Sequence, residues 1–447
     1  MRSAKGQTKK TLGSYTIGFN IQNLINNFVH DSMRQNSFYL IISQGINAFI
    51  SFIFWIICAH LFSVKNIGYA TSFISFGLLI STFTNLGLPN TIIRYLPTST
   101  KRGSFFATSL YLIIIMSIIG GVFGVFLIKY LIGSLSFVNT SFYLSLILIF
   151  YVIGNTLSTF IDSVLMAYRK GQYILAKAIV TNIPRIILPF FVASMALNGI
   201  VTIYVVVFII SIIYSLFIVI NKLLKNETFK IKIKEVASHK NFAIGNYFGG
   251  IFGILPGSLI PIIILNRLGA ESAAFFYIPI QISAFLSIIP NSTGTAMISE
   301  SSQYKTTILQ VHILKKALHH TYSLLTPVVL MIIIFSWPIL RIYGIKYVQY
   351  GLWPLVILAV ASFFIAINWL GDTWLNMNQN SHAYFIMNVF NAILVVGIVY
   401  MLAPYGLASA AWGWLLSQAL TALVYLAIFG RNKLSLWGPT SYFKTSS

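Results

Sequence analysis

Between Ser37 and Gly430 one pattern repeats about a dozen times: an apolar, nearly uncharged run of roughly 20 to 25 residues followed by a short polar break. Runs of that length match the hydrocarbon core of a bilayer. The expected fold class is therefore all-α, a polytopic membrane bundle. Twelve helices are predicted, at 38–62, 67–88, 104–132, 141–168, 173–197, 200–222, 242–266, 272–298, 319–343, 352–376, 381–403 and 405–430. The first run is too long and apolar for a cleavable signal peptide, and no small-residue cleavage site follows it. Ahead of it, Ile17, Ile21, Leu24, Ile25 and Phe28 recur at helical spacing and predict an amphipathic helix lying on the membrane surface.

The breaks carry the charge. The chain holds 29 Lys and Arg against 7 acidic residues, a formal net charge of +22. In a soluble chain this excess would suggest nucleic acid. Here the cations gather in alternate breaks, as the positive-inside rule requires. With the N-terminus cytoplasmic, 23 of them fall on the inner side, 5 on the outer, and Arg185 lies within a helix. Both termini are thus expected in the cytoplasm, with the protein in the plasma or inner membrane and no nucleic-acid partner.

The longest break, Lys222 to Lys240, is also the most basic, and it divides the chain into six helices and six. An even number keeps the orientation, so the halves would be parallel repeats. The expected organisation is an N-terminal segment 1–36, a first lobe 37–222, a loop 223–241, a second lobe 242–430 and a tail 431–447. Internal similarity points the same way. Asp162-Ser-Val-Leu precedes Tyr173 by eleven residues, and Asp372-Thr-Trp-Leu precedes Tyr384 by twelve.

Motif chemistry is sparse. The sequence holds no phosphate-cradling G-x-x-x-x-G-K-[ST] and no His or Cys spacing for a metal, so no cofactor is expected. Cys58 is the only cysteine. His312, His319 and His320 fall in or beside the inner loop before the ninth helix and read as a solvated face rather than a metal site.

The informative residues lie inside the membrane. Arg185, flanked by Pro184 and Pro189, sits near mid-bilayer, where a charge facing lipid costs several kcal/mol. It should face the bundle interior or a wet cavity. Two readings stand open: an anion ligand, or a structural group that pairs with Asp162 or caps carbonyls freed by Pro184. Asp162 and Asp372 lie one to two turns from the cytoplasmic surface and serve either local ion pairing, with Arg169 and Lys177 near Asp162, or gating and proton coupling. Gln44, Asn47 and Ser51 on the first helix, and Asn246, Gly250, Gly253 and Gly257 on the seventh, form stripes that read either as tight helix packing or as the lining of a shared polar cavity.

Several stretches resemble a known family. Asn85-Leu-Gly-Leu-Pro-Asn-Thr-Ile-Ile-Arg-Tyr-Leu-Pro97 is similar to the opening of the polysaccharide biosynthesis proteins, flippases of the multidrug/oligosaccharidyl-lipid/polysaccharide exporter superfamily. Ala167-Tyr-Arg-Lys-Gly-Gln-Tyr173, Ile298-Ser-Glu-Ser-Ser302 and Pro404-Tyr-Gly-Leu-Ala-Ser-Ala-Ala411 resemble later junctions of that family, the second without its usual proline. The resemblance implies two six-helix lobes around a central cationic cavity that carries a polyprenyl-linked (pyro)phosphoryl oligosaccharide from the inner to the outer leaflet. It makes Arg185 the anion ligand and Arg94 a cation of the inner gate; if the polar stripes line the cavity, Gln44, Asn47 and Asn246 are further binding residues. Partners would be that lipid-linked substrate, the surrounding membrane lipids and candidate glycan-assembly enzymes.

Two other classes compete. An ion-coupled multidrug exporter of the same superfamily would want an acidic cavity, which the positive charge disfavours. A membrane glycosyltransferase or ligase needs outer-face acids, and Glu271 alone is placed there. The protein is therefore expected not to be an enzyme.

Overall fold

The computed structural model describes residues 32–301, 307–378 and 380–431. The expected amphipathic segment at 17–28 and the tail from 432 onward lie outside these. Each apolar run forms a helix because lipid offers the backbone no hydrogen-bond partner, and a helix satisfies its N–H and C=O groups locally. The first half contains α1 (Ser32–Leu61), α2 (Val64–Thr84), α3 (Arg102–Leu131), α4 (Phe142–Ala167), α5 (Gly171–Val192) and α6 (Ala196–Ile218). The second half begins with α7 (Lys240–Leu268) and α8 (Ala270–Ala284), which runs on through the 3-10 turn Phe285–Ser287 to Ile288–Ser301. It ends with α9 (Thr307–Ile334), α10 (Ile345–Met377), α11 (Ser381–Leu402) and α12 (Leu407–Arg431).

Among the described residues, eleven continuous helical stretches are long and apolar enough to cross a bilayer. One of them, Gly171–Leu223, has 53 residues and makes two crossings. It folds back at the turn Ala193–Met195, where Ala196 takes a φ of 52°, and α5 packs along α6. Twelve crossings result, the number expected. The even count puts Ser32, Arg431 and the 222–240 segment at one end of the bundle, here called the basic end.

The ninth helix departs most from its expected range of 319–343. Lys315 and Lys316 lower the local hydropathy and displaced the expected start to His319, yet both lie inside α9. His319 and His320 are exposed residues of this helix. The side chain of His312 lies outside the description. At the other end, α9 stops at Ile334 and the chain turns into a separate short helix, Ser336–Arg341. The exit after α2 is similarly more ordered than a loop. Leu86 and Gly87 adopt φ of 51° and 68°, and a short helix Leu88–Tyr95 follows. Gly87 is required twice: by its left-handed backbone, and because a Cβ there would stand 2.2 Å from the Ala243 carbonyl oxygen of α7.

The first six helices pack mainly on one another, and so do the last six. They meet where α2 packs on α7 and on the first part of α8. This seam is close: a Cβ on Gly68 would fall 1.7 Å from the Ala270 carbonyl oxygen, and the Ser72 hydroxyl donates to the Pro261 carbonyl at 3.2 Å. It continues to the basic end, where the Tyr247 hydroxyl donates to the Phe83 carbonyl at 2.6 Å.

The core divides unevenly. At the end opposite the basic one, a single apolar cluster joins both halves, with Trp55, Ile67 and Phe73 packed in one body with Ile264, Phe276 and Tyr347. At the basic end each half keeps its own core: one around Ile92, Phe106, Phe160 and Ile174, the other around Leu314, Leu370, Trp374 and Phe429. The second part of α8 packs on α9 and α10, away from α1. The two halves are therefore fused at one end and part at the other along the α1/α8 flank.

Two glycines separate packing from lining. Gly68→Ala should destabilise the detergent-solubilised protein by about 2 kcal/mol through overpacking of the seam. Gly250→Ala should be neutral or stabilising by up to about 1 kcal/mol, because a Cβ there meets nothing within 4 Å. Equal thermal-unfolding shifts in the two variants would contradict the seam described.

Candidate functional site

Inside the first half, α1, α4, α5 and α6 enclose a pocket of about 210 Å³. Its polar wall is a stripe on α5, in which Lys177, Thr181, Asn182 and Arg185 follow at helical spacing so that all four point one way. Asn47 of α1, Ser158 and Asp162 of α4 and Ser211 of α6 complete it.

Asp162 is held by Lys177, whose ammonium donates to both carboxylate oxygens at 2.7 and 2.8 Å and to the Ser158 hydroxyl at 2.8 Å. Ser158 lies 3.0 Å from the Ser211 hydroxyl, linking α4, α5 and α6. Asn182 donates to the Asn47 side-chain oxygen at 2.7 Å and ties α1 to α5.

Arg185 holds neither partner considered from sequence. Its guanidinium donates to the Tyr204 hydroxyl at 2.8 Å and lies 5.0 Å from the centroids of both the Phe54 and Tyr204 rings. Among the described residues it pairs with no carboxylate; Asp162 holds Lys177, which lies eight residues, about 12 Å, nearer the basic end of α5. Helix α5 starts at Gly171, so Arg185 lies fourteen residues, about 21 Å, along it from the basic end. Two cation–π contacts and one phenol hydrogen bond contribute about 2–5 kcal/mol together. Removing a guanidinium from water costs several kcal/mol. With one of its five N–H donors on Tyr204, the group needs water or an anion in the pocket to complete its solvation.

The pocket's formal charge is +1, from Lys177, Arg185 and Asp162. It lies within the first half, not in the cleft between the halves where the family resemblance put Arg185. The expected stripe on α1 is split. Asn47 lines this pocket, whereas Gln44 and Ser51, with Trp55, Gln281, Phe285 and Tyr343, line a second cavity of about 140 Å³ between α1 and α8. Helix α1 is thus the wall between the two. Above the second cavity the seam is shut by aromatic edges, Phe52 on Tyr343 at 5.5 Å and Trp55 on Tyr277 at 5.3 Å. On α7, Gly250, Gly253 and Gly257 are exposed, and at Gly250 and Gly257 a Cβ would enter open space, which favours lining over packing for this stripe. The side chain of Asn246 lies outside the description. Arg94 stands exposed on the short helix at the basic end, over the Tyr95 ring at 5.4 Å and apart from Arg185.

In the second half, Asp372 stands five residues before the end of α10, as Asp162 stands five before the end of α4. It accepts from Tyr425 at 2.5 Å and from Asn388 at 3.1 Å. Asn388 occupies on α11 a place like that of Lys177 on α5, so one carboxylate faces a cation and the other an amide and a phenol. Sequence reasoning missed Thr181, Asn182, Ser158, Ser211 and Tyr204. The i, i+4 polar spacing on α4 and α5 carried the signal for the first three; nothing marked Tyr204 among the 24 tyrosines.

Twelve crossings in two packed halves, with a polar pocket inside the first, define a polytopic all-α membrane protein. The chain belongs to the polysaccharide biosynthesis protein family, whose model matches residues 33–305. Among solved structures it resembles the lipid II flippase MurJ in an inward closed conformation, at 14% identity and TM-score 0.70, covering 87% of each chain. It also resembles an inward-facing multidrug resistance MATE family transporter, at 14% identity and TM-score 0.66, covering 87% of this chain and 94% of that one. A third likeness is to a MOP superfamily transporter from Pyrococcus furiosus described by the reversed polarity of its binding pocket, at 13% identity and TM-score 0.59, covering 91% of this chain and 96% of that one. No curated protein sequence matches the chain.

The Asp162–Lys177 pair should behave as one unit. Lys177→Met leaves a carboxylate largely inside the lobe without its cation and should cost about 2 kcal/mol, between the figures for exposed and fully buried pairs. Adding Asp162→Asn should recover most of that loss in a thermal-unfolding double-mutant cycle. Additive losses would show that the two do not depend on each other.

Proposed function

We propose that the protein moves a polyprenyl-linked (pyro)phosphoryl oligosaccharide from the inner to the outer leaflet by alternating access of its two halves. The observation that carries this reading is the Arg185 guanidinium, held in place by Phe54 and Tyr204 without a carboxylate partner, in a pocket of net positive charge. Anions with several acceptor oxygens complement a planar fork of N–H donors. The size of the pocket limits what enters. About 210 Å³ is below the usual 300–1,000 Å³ of a drug-sized site, so it accepts a phosphate-sized group, and room for the glycan requires α1, which separates this pocket from the smaller cavity of about 140 Å³ between the halves, to move aside.

The open α1/α8 flank supports a lipid-linked substrate. A polar head could enter the cleft from the basic end while its tail stays in the bilayer, so hydration of the charged, hydroxylated head is never lost to hydrocarbon. The charge bias of 23 cations to 5 supports a cytoplasmic position for the basic end and both termini. Arg94, exposed there, is suited to first contact with an anionic head. Asp162 and Asp372 are assigned to gating, as paired carboxylates at matching places in the two halves. A cationic drug finds no acidic pocket in the first half, which disfavours a multidrug exporter.

Reconstituted protein carrying Arg185→Ala should translocate polyprenyl-pyrophosphoryl oligosaccharide at under a tenth of the unsubstituted rate, since a charge-assisted hydrogen bond contributes about 1.5–3 kcal/mol. Arg185→Lys should recover part, because a point charge loses the fork geometry. Unchanged transport in Arg185→Ala with intact folding would reject the assignment.

A further inference from the structure

The loop between α6 and α7 is not a free linker. Its two acids face the protein: Glu227 accepts from the Gly103 amide at 3.3 Å, and Glu235 pairs with Lys101 at 3.1 Å. Backbone ties continue the attachment, with the Ser104 hydroxyl donating to the Thr228 carbonyl and the Lys232 amide donating to the Thr108 hydroxyl at 2.8 Å. The Phe229 ring meets the buried Phe106 edge-on at 6.3 Å. These contacts hold the loop alongside the first two turns of α3.

That position fixes its depth. Helix α3 has 30 residues, about 45 Å, which is the full thickness of a bilayer with its headgroups, whereas the hydrocarbon core is only about 30 Å. Thr108 is six residues, about 9 Å, along it. The loop segment therefore runs from the headgroup layer to its boundary with the hydrocarbon, which on a centred helix lies about 7–8 Å in. There the sequence alternates Phe229, Lys230, Ile231, Lys232, Ile233, Lys234, and every one of these side chains is exposed, Ile231 by 55% and Ile233 by 60%. Apolar side chains interleaved with lysines at that depth match the chemistry of an interface, with hydrocarbon for the first and anionic headgroups for the second. With both local acids turned inward, the outward charge is purely basic.

We propose that residues 229–234 form an interfacial strap that binds anionic lipid headgroups of the leaflet at the basic end. A soluble acidic partner would complement the lysines but would leave Phe229, Ile231 and Ile233 in water, so the bilayer is the occupant that fits both sets. Each lysine near a negatively charged surface adds roughly fivefold to the preference for anionic lipid.

The full chain, with Cys58→Ser and Ile231→Cys carrying a fluorophore, is reconstituted into phosphatidylcholine vesicles. Equal small fractions of headgroup-nitroxide phosphatidylglycerol or phosphatidylcholine are added in separate samples. Quenching by the phosphatidylglycerol probe should exceed that by the phosphatidylcholine probe at least threefold, and aqueous iodide should reach the label far less than it reaches free dye. Replacing Lys230, Lys232 and Lys234 together by Gln should bring the two lipid probes to parity. A label at Ile233→Cys repeats the measurement should position 231 be poorly tolerated. Parity in the unsubstituted strap, a preference that survives the triple replacement, or iodide access equal to free dye would overturn the proposal. The last result would leave the strap open to a soluble acidic partner.

Discussion

The two halves of the molecule are joined by apolar packing at one end only. Trp55, Phe73, Ile264, Phe276 and Tyr347 belong to a single buried cluster that crosses the divide, whereas at the basic end the cores around Phe160 and around Trp374 are separate. Packed interiors tend to be bistable rather than continuously deformable, so such a seam is either shut or parted. Access from one side follows from that asymmetry. The α2–α7 contact, tight from Ser72–Pro261 to Phe83–Tyr247, keeps the halves together on one flank, and the opposite α1/α8 flank holds a cavity of about 140 Å³.

Electrostatics inside the first half depend on which acid is available. Asp162 is engaged by Lys177, which leaves Arg185 to two aromatic rings and a phenol. A guanidinium can be held there because rings supply attraction without neutralising charge. Its orientation is fixed while its charge remains available to the pocket. In the second half the matching carboxylate, Asp372, has an amide and a phenol as partners in place of a lysine. The two halves thus use one architectural position with different charge.

Much of the fold was legible because the bilayer imposes it. Apolar run length gave twelve crossings, and the alternation of cations ordered the breaks. The ninth helix was misplaced because Lys315 and Lys316 look like loop residues, although a helix end near the headgroup layer tolerates them. In the site, Arg185 and Asp162 were legible as intramembrane charges, but their partners were not. Choosing Lys177 over Arg169 or Arg185 for Asp162 depends on how α4 and α5 face each other across the turn at Arg169, whose φ of 53° no spacing rule reveals. The split of Gln44 and Ser51 from Asn47 on α1 was hidden for a related reason: their shared stripe is wide enough to border two cavities. The seam aromatics carried no signal among 36 Phe and 24 Tyr.

Transport of a lipid-linked glycan across the membrane is the claim on which the rest converges, and sidedness tests it most directly. Cells depleted of the protein are examined for the leaflet in which polyprenyl-linked oligosaccharide collects, by accessibility of the glycan to an impermeant labelling reagent before and after permeabilisation. The account predicts accumulation on the cytoplasmic leaflet, labelled only after permeabilisation, and its reversal when the protein is restored. A normal outer-leaflet pool in depleted cells would contradict it.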